Sequence, residues 1–315
     1  MATVDASSPA YEVLTTGCGV VDRSATGKLL ITGPQAAEFL DGQVSNDIAG
    51  LQQGHGRYAT LLTTKGRMVA DLRVLHRPDG LLLLCERVAL QALFDQVRRG
   101  LIGWDATLEK RTLQLGLLSL VGPRADAVAQ AAGLPVPGPG EHDVAGPVVR
   151  TDLGLDVLPE AEAMAGTLAA LQAAGAEPVP EAAAEILRVE RGRPRYGVDL
   201  DDSVMPEEAG IVDRAVSFTK GCYVGQETVA RLHWKGKPNR HLRGLLLDGP
   251  AATGDPILAG DREVGHVGTV AASPRLGSVA LAMLRREVEP GDRVTAGATP
   301  AEVVALPFAG AVATR

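Results

Sequence analysis

The apolar positions of this chain follow two rhythms. Strand-length apolar runs recur at 28–33, 57–64, 68–76 and 81–85. In 68–76, Val69, Asp71 and Arg73 alternate with Met68, Leu72 and Val74, the two-residue period of a half-buried strand. A helical rhythm starts at Pro34, where Ala37, Leu40 and Val44 share a face beside Phe39. It returns over 88–101, where Leu90, Leu93, Phe94, Val97 and Leu101 form one stripe. A second set follows: a strand over 113–121, an Ala-rich helix over 124–132, a hairpin over 148–158, and helices over 160–174 and 181–191. Between them, 133–146 is broken by Pro135, Pro137, Gly138, Pro139 and Gly140, which predicts a surface loop. Residues 1–16 show little periodicity and are expected to be loose.

After His241 the helical rhythm stops. Short runs at 242–247, 256–258, 265–270, 278–284, 293–296 and 302–306 alternate with Gly, Pro and Asp turns, the pattern of a small β-barrel. The fold class expected is α+β, with a first part over 1–112, a second over 113–240 and a barrel over 241–315.

Composition narrows the function classes. The chain has 315 residues, too many for one comfortable core. Its net charge of −7 argues against nucleic-acid affinity resting on overall charge. No apolar run reaches the length of a membrane span, and the start lacks a basic flank and apolar core of a secretory signal. The three cysteines, Cys18, Cys85 and Cys222, form no CxxC pair, so a reduced cytoplasmic protein without an all-cysteine metal site is expected. No P-loop, GxGxxG or HExxH is present.

Chemistry concentrates in KGCYVGQE, residues 220–227. Lys220 and Cys222 are the candidate catalytic pair, because a nearby ammonium enriches the nucleophilic thiolate. Gly221, Tyr223, Gly225, Gln226 and Glu227 complete the loop. No His stands at a fixed spacing to act as base, so hydrolase chemistry is not favoured; a redox-sensitive thiol or a ligand to a transferred metal centre fits better. Arg188, Arg191, Arg193 and Arg195 cluster at a helix end, where they suit an anionic ligand or simply a solvated helix terminus. Asp71 is the lone acid on an apolar strand with basic flanks. It is either paired with arginine or offered to a ligand's N–H donors.

Five segments together carry a resemblance. KGCYVGQE resembles the motif of the YgfZ-type folate-binding proteins, relatives of the glycine-cleavage aminomethyltransferase (T-protein). GPQAAEFLDGQ at 33–43, YATLLTTKGRMVAD at 58–71, the stretch 187–199 and PEEAG at 206–210 resemble further motifs of that family in the same order. The resemblance implies a T-protein-like fold: two interleaved, ferredoxin-like α+β parts around a central channel, and a C-terminal barrel. It implies tetrahydrofolate in that channel, with Asp71, Glu190, Tyr196 and Glu208 on the folate side and Arg231 at its tail. It further implies assembly or maintenance of iron–sulfur enzymes, with client proteins as partners, a transient cluster and an indirect effect on tRNA modification. T-proteins carry two adjacent acids where this chain reads Ala70-Asp71, and 220–227 replaces their own sequence. The expectation is therefore iron–sulfur maintenance, with folate-dependent aminomethyl transfer as the alternative and a non-catalytic RNA- or partner-binding module behind it. Direct nucleic-acid or membrane contact is not expected.

Overall fold

The computed structural model describes residues 9–309. Its helices are α1 (Pro9–Thr16), α2 (Ala36–Gln43), α3 (Leu90–Gly100), α4 (Ala125–Ala131), α5 (Met164–Ala173), α6 (Glu181–Glu190), α7 (Val212–Ala215) and α8 (Gln226–Lys235). The first eleven strands are β1 (Gly19–Asp22), β2 (Gly27–Thr32), β3 (Gly56–Leu62), β4 (Met68–Arg77), β5 (Gly80–Cys85), β6 (Thr107–Lys110), β7 (Leu118–Val121), β8 (Val144–Ala145), β9 (Val148–Thr151), β10 (Gly154–Val157) and β11 (Glu177–Pro178). They form two sheets, ordered β3-β4-β5-β2-β6 and β11-β1-β7-β10-β9-β8. The parts interleave: β1, near the start of the chain, lies between β7 and β11 in the second sheet. Each of its first three residues is buried, which a GVV run on a central strand requires.

Strands β12 (Arg240–Leu247), β13 (Pro256–Ala259), β14 (Arg262–Ser273), β15 (Gly277–Arg285), β16 (Arg293–Ala296) and β17 (Thr299–Val304) close into a six-stranded barrel, sealed where β12 pairs with β17. Closure leaves no free strand edge, and the alternating pattern fills the interior with Leu245, Ile257, Val267, Ala280, Ala282, Leu284 and Val303. The mixed α/β body with a closed C-terminal barrel is the architecture expected from the sequence.

Helix α6 ties the parts together. Its Ala183, Ala184, Ile186, Leu187 and Val189 pack with Tyr11 and Leu14 of α1 and with Val279 and Leu281 of the barrel. Each large aliphatic side chain buried there contributes about 1.5–3 kcal/mol. Residues 9–16, expected to be loose, are therefore helical: Pro9 opens the first turn, and tertiary packing of Tyr11 and Leu14 stabilises a segment too short to hold alone. The remainder of that expectation, residues 1–8, lies outside the described residues.

Candidate active site

Two cavities lie among the parts. The larger, about 1160 Å³, runs between the 198–208 loop and the barrel, with Glu208, Arg240 and Arg67 on its wall. Among the described residues, its buried side-chain polar atoms all have partners. The smaller, about 440 Å³, lies between the two sheets and takes walls from β4, β5, β7 and the 193–195 segment.

Asp71 lines the smaller cavity. The strand alternation of β4 puts Ala70 into the core, fully buried, and turns Asp71 to the opposite face. The Tyr58 hydroxyl on β3 donates to Asp71 Oδ2 at 2.7 Å, while Asp71 Oδ1 is closed to solvent and has no partner. Burial raises the Asp71 pKa, against the lowering effects of Tyr58 and Arg214. Tyr58 is itself pushed well above its ordinary value by burial and by the Asp71 charge. The guanidinium of Arg214 lies 5.1 Å from the Tyr58 ring centre and pairs with Glu141.

The register pairing Leu72 with Cys85 brings Glu86, one residue beyond β5, level with Asp71. Burial raises the Glu86 pKa although Arg195 stands 3.3 Å away, and Asp71 adds to the rise. A second carboxylate thus meets Asp71 from the neighbouring strand. A second acid at position 70 would have faced away from this cavity.

The rest of the wall is a lattice of matched charges. Arg73 binds Asp156, which also accepts from Ser119. Arg23 forks onto Glu181 at 2.8 and 3.1 Å. Arg195 reaches Glu181 and Glu185, Arg193 reaches Asp152, and Arg188 binds Glu185, Asp199 and, on the barrel, Thr269. Burial opposes ionisation of Asp156, but Arg73, Ser119 and Arg23 outweigh it and hold its pKa low. The arginines that the sequence offered to an anion are thus engaged within the protein: Arg188, Arg193 and Arg195 in ion pairs, and Arg191 by the Asp152 carbonyl.

His142 was hidden in the Gly/Pro-rich stretch read as a surface loop. It is 7% exposed, lines the cavity, and is the one non-glycine residue with positive φ (73°) among those described. Burial, with Arg73 and Arg214, pulls its pKa down to about 3, so the imidazole is neutral at physiological pH. A left-handed backbone at a non-glycine residue on a cavity wall marks a position held by its surroundings. No period or motif in the sequence announced it.

The other expected site residues lie away from this wall. Glu190 is fully buried and accepts from Tyr11, Ser273 and Arg275, joining α1 to the barrel. Tyr196 packs half-buried between two cores. Glu208 pairs with Arg240 at 3.1 Å, and Arg231 is exposed on α8. Lys220 is turned away from solvent: its ammonium binds the Asp41 and Val44 carbonyls and the Asp41 carboxylate. Burial lowers its pKa against the opposing pull of Asp41. Cys222 and Gly221 are exposed, whereas Tyr223 is buried with its hydroxyl unpartnered. Gly225 supplies the left-handed turn (φ 87°) before Gln226 and Glu227 open α8. A Cβ there would sit 2.6 Å from the Thr63 carbonyl oxygen, so the motif's second glycine seats this turn on the Gly66 loop. The segment's dense chemistry is therefore largely spent on anchoring. Cys18 and Cys85 are buried and their thiols pushed up to about 12 by burial, and no group of three or more His, Cys, Asp and Glu among the described residues is placed to hold a metal. None of the described helices is long and apolar enough to cross a membrane.

Comparison with known proteins gives this geometry a family. Residues 4–134 match the GCVT N-terminal domain, and residues 240–309 match the glycine cleavage T-protein C-terminal barrel domain. The chain is 30% identical to the aminomethyltransferase of Streptomyces avermitilis, over 92% of this chain and 86% of that protein. It is 29% identical to those of Streptomyces coelicolor (93% and 87%) and Rubrobacter xylanophilus (95% and 85%). The fold is similar to that of the glycine cleavage system aminomethyltransferase T from Bartonella henselae, with a TM-score of 0.85 at 23% identity, covering 97% of this chain and 90% of that one. These relatives overturn the expectation of an iron–sulfur maintenance factor: over nearly the whole chain, the likeness is to proteins named for aminomethyl transfer. With both domain matches in place and the Streptomyces avermitilis likeness running through the chain, the protein belongs to the glycine cleavage T-protein, or aminomethyltransferase, family.

Proposed function

We propose that the protein is a tetrahydrofolate-dependent aminomethyltransferase, with the folate head in the Asp71 cavity. The observation that carries this is the Asp71 carboxylate: it lies on the cavity wall, is fixed by Tyr58, and keeps one buried oxygen without a donor. An unsatisfied buried acceptor costs about 1–3 kcal/mol, which a ligand N–H removes on binding. A reduced pterin ring presents such donors, so the residues fit the group. The segment 220–227 resembles YgfZ-type folate-binding proteins, and it supports folate binding, the element shared with the aminomethyltransferases.

When bound, tetrahydrofolate would supply the two nitrogens that take up a one-carbon unit, one in the pterin ring and one on the bridge to the aromatic tail. The protein's own work is positional and electrostatic. Asp71 receives the ligand's N–H groups, and burial raises its pKa, which favours a carboxyl that can take up a proton. Tyr58 fixes its orientation. Glu86 offers a second carboxylate across the strand pair, and Arg195 holds it. His142 lends a neutral imidazole that does not compete for the ligand's charge. The matched lattice around Asp156 and Glu181 keeps the walls in place, so little reorganisation accompanies binding.

The test is calorimetric titration of tetrahydrofolate into wild type and Asp71→Asn. Trp104 packs on Phe39 and Trp234 stands on α8, both away from the cavity wall, so calorimetry is a better reporter than tryptophan fluorescence. Binding by wild type that weakens strongly in the variant is expected. Equal binding by both removes Asp71 from the site.

A further inference from the structure

Among the described residues, two buried side-chain atoms on the wall of the Asp71 cavity can accept a hydrogen bond and have no partner: Asp71 Oδ1 and His142 Nδ1. The folate reading uses the first and leaves the second idle. A buried acceptor without a donor is costly, so one that persists on a cavity wall marks a place for a ligand's N–H.

The neighbours decide which ring nitrogen is bare. Glu141 Oε1 lies 3.5 Å from His142 Nε2 and favours the proton there. A neutral imidazole carries one N–H, so Nδ1 is left as an acceptor. Burial and the nearby Arg73, Arg214 and Arg57 disfavour positive charge at this place, against Asp156, so it suits an uncharged N–H donor rather than an ammonium. The ring is also held in position. The His142 N–H donates to the Arg150 carbonyl at 3.0 Å, Val144 donates to the Gly54 carbonyl at 2.8 Å, and Asp143 meets His55 at 2.7 Å. At Gly56 a Cβ would sit 2.8 Å from His142 Cβ, so this glycine lets the segment close on β3. These ties hold the left-handed backbone that puts the imidazole on the wall.

We infer that His142 forms an amine subsite, its Nδ1 accepting an N–H from the amine that the transfer releases as ammonia. The subsite rests on the aminomethyl-transfer reading above. In that transfer the methylene carbon exchanges its bonds to sulfur and to the amine for bonds to the two folate nitrogens. The two protons those nitrogens lose end one on the sulfur, giving a thiol, and one on the amine, giving ammonia. An acceptor that stays unprotonated orients the amine through one N–H without taking the proton the amine must gain.

The experiment runs the transfer in reverse, from 5,10-methylenetetrahydrofolate, ammonium and a dihydrolipoyl thiol, varying ammonium and folate in turn at fixed pH. Wild type is compared with two variants, each checked for folding by circular dichroism. His142→Gly keeps the left-handed backbone and removes the acceptor; His142→Asn tolerates that backbone and returns an acceptor oxygen near Nδ1. His142→Gly should raise the KM for ammonium roughly tenfold and leave that for the folate within about twofold, and His142→Asn should recover most of the loss. Nitrogen NMR of protein isotopically labelled at histidine reads binding without turnover. Ammonium chloride, but not potassium chloride, should shift the His142 Nδ1 signal, identified by its absence from His142→Asn. An unchanged ammonium KM in His142→Gly, an equal rise for both substrates, an Asn variant no better than Gly, or an unmoved Nδ1 signal overturns the subsite. Folded wild type without turnover in either direction is a different result: it removes the aminomethyl-transfer reading and this subsite with it.

Discussion

Replacing Asp71 by Asn should make the protein more stable and worse at its function. The carboxylate sits where burial outweighs Tyr58 and Arg214, so its folded pKa is raised. A group raised in this way gives stability that is fully present below its unfolded pKa and lost as pH rises through the folded one. At pH 7 the charge is therefore a cost. The unpartnered position persists in Asn, but leaving it charged costs more than leaving it neutral, by about 1–3 kcal/mol. Against this, the 2.7 Å bond from Tyr58 falls from charge-assisted to neutral, a loss of about 1 kcal/mol. The net gain is about 1 kcal/mol, or roughly 1.5 °C in Tm for a chain of this length. Binding moves the other way. Loss of a charge-assisted bond to a ligand N–H, about 1.5–3 kcal/mol, weakens affinity by roughly 10- to 150-fold. Differential scanning calorimetry should show Asn above wild type at pH 7 to 8, with the gap closing as pH falls towards about 4, where the unfolded carboxylate protonates. A less stable Asn variant at pH 7, or a gap that widens in acid, would refute this account of the Asp71 environment.

Two further predictions concern the walls and the loop. Asp156 has a pKa lowered by Arg73, Ser119 and Arg23, so its contribution exists above the ordinary carboxylate value and is lost as pH falls through the depressed one. Asp156→Asn should cost about 3–5 kcal/mol in urea unfolding at pH 7 and flatten the acid limb of the stability profile; a loss below about 1 kcal/mol would show the pair to be unimportant. Cys222→Ser should leave tetrahydrofolate affinity and turnover within about twofold of wild type, since the exposed thiol lies off the cavity wall. A tenfold loss in a turnover assay would return the thiol to the chemistry.

What the sequence revealed depended on how local the determining physics was. The barrel was readable because alternation and Gly/Pro/Asp turns act within a few residues, and closure follows from many short strands needing partners. Helix α3 was readable from its stripe, starting at Leu90 rather than 88. The strand expected over 113–121 shrank to Leu118–Val121, because Leu113 is 85% exposed and Leu115 makes only an isolated bridge to Glu160 before continuous pairing begins at Leu118. Strand β1 and helix α1 were not readable as such: their partners, β7 and α6, lie more than ninety residues away. Asp71 stood out because an acid on an apolar strand needs a reason. Cys222 and Lys220 drew more weight than their positions support, because a sequence lists functional groups without saying where they point. Lys220 points at Asp41. His142 and Glu86 reach the cavity only through packing and strand register, which no local pattern encodes.

The central claim is that this cavity serves aminomethyl transfer to tetrahydrofolate. Its most direct test is to incubate wild-type protein with tetrahydrofolate and an aminomethyl-lipoyl donor and to measure 5,10-methylenetetrahydrofolate. The account predicts product that depends on enzyme and is lost in Asp71→Asn. No product above the uncatalysed background from folded, folate-binding wild type would contradict it.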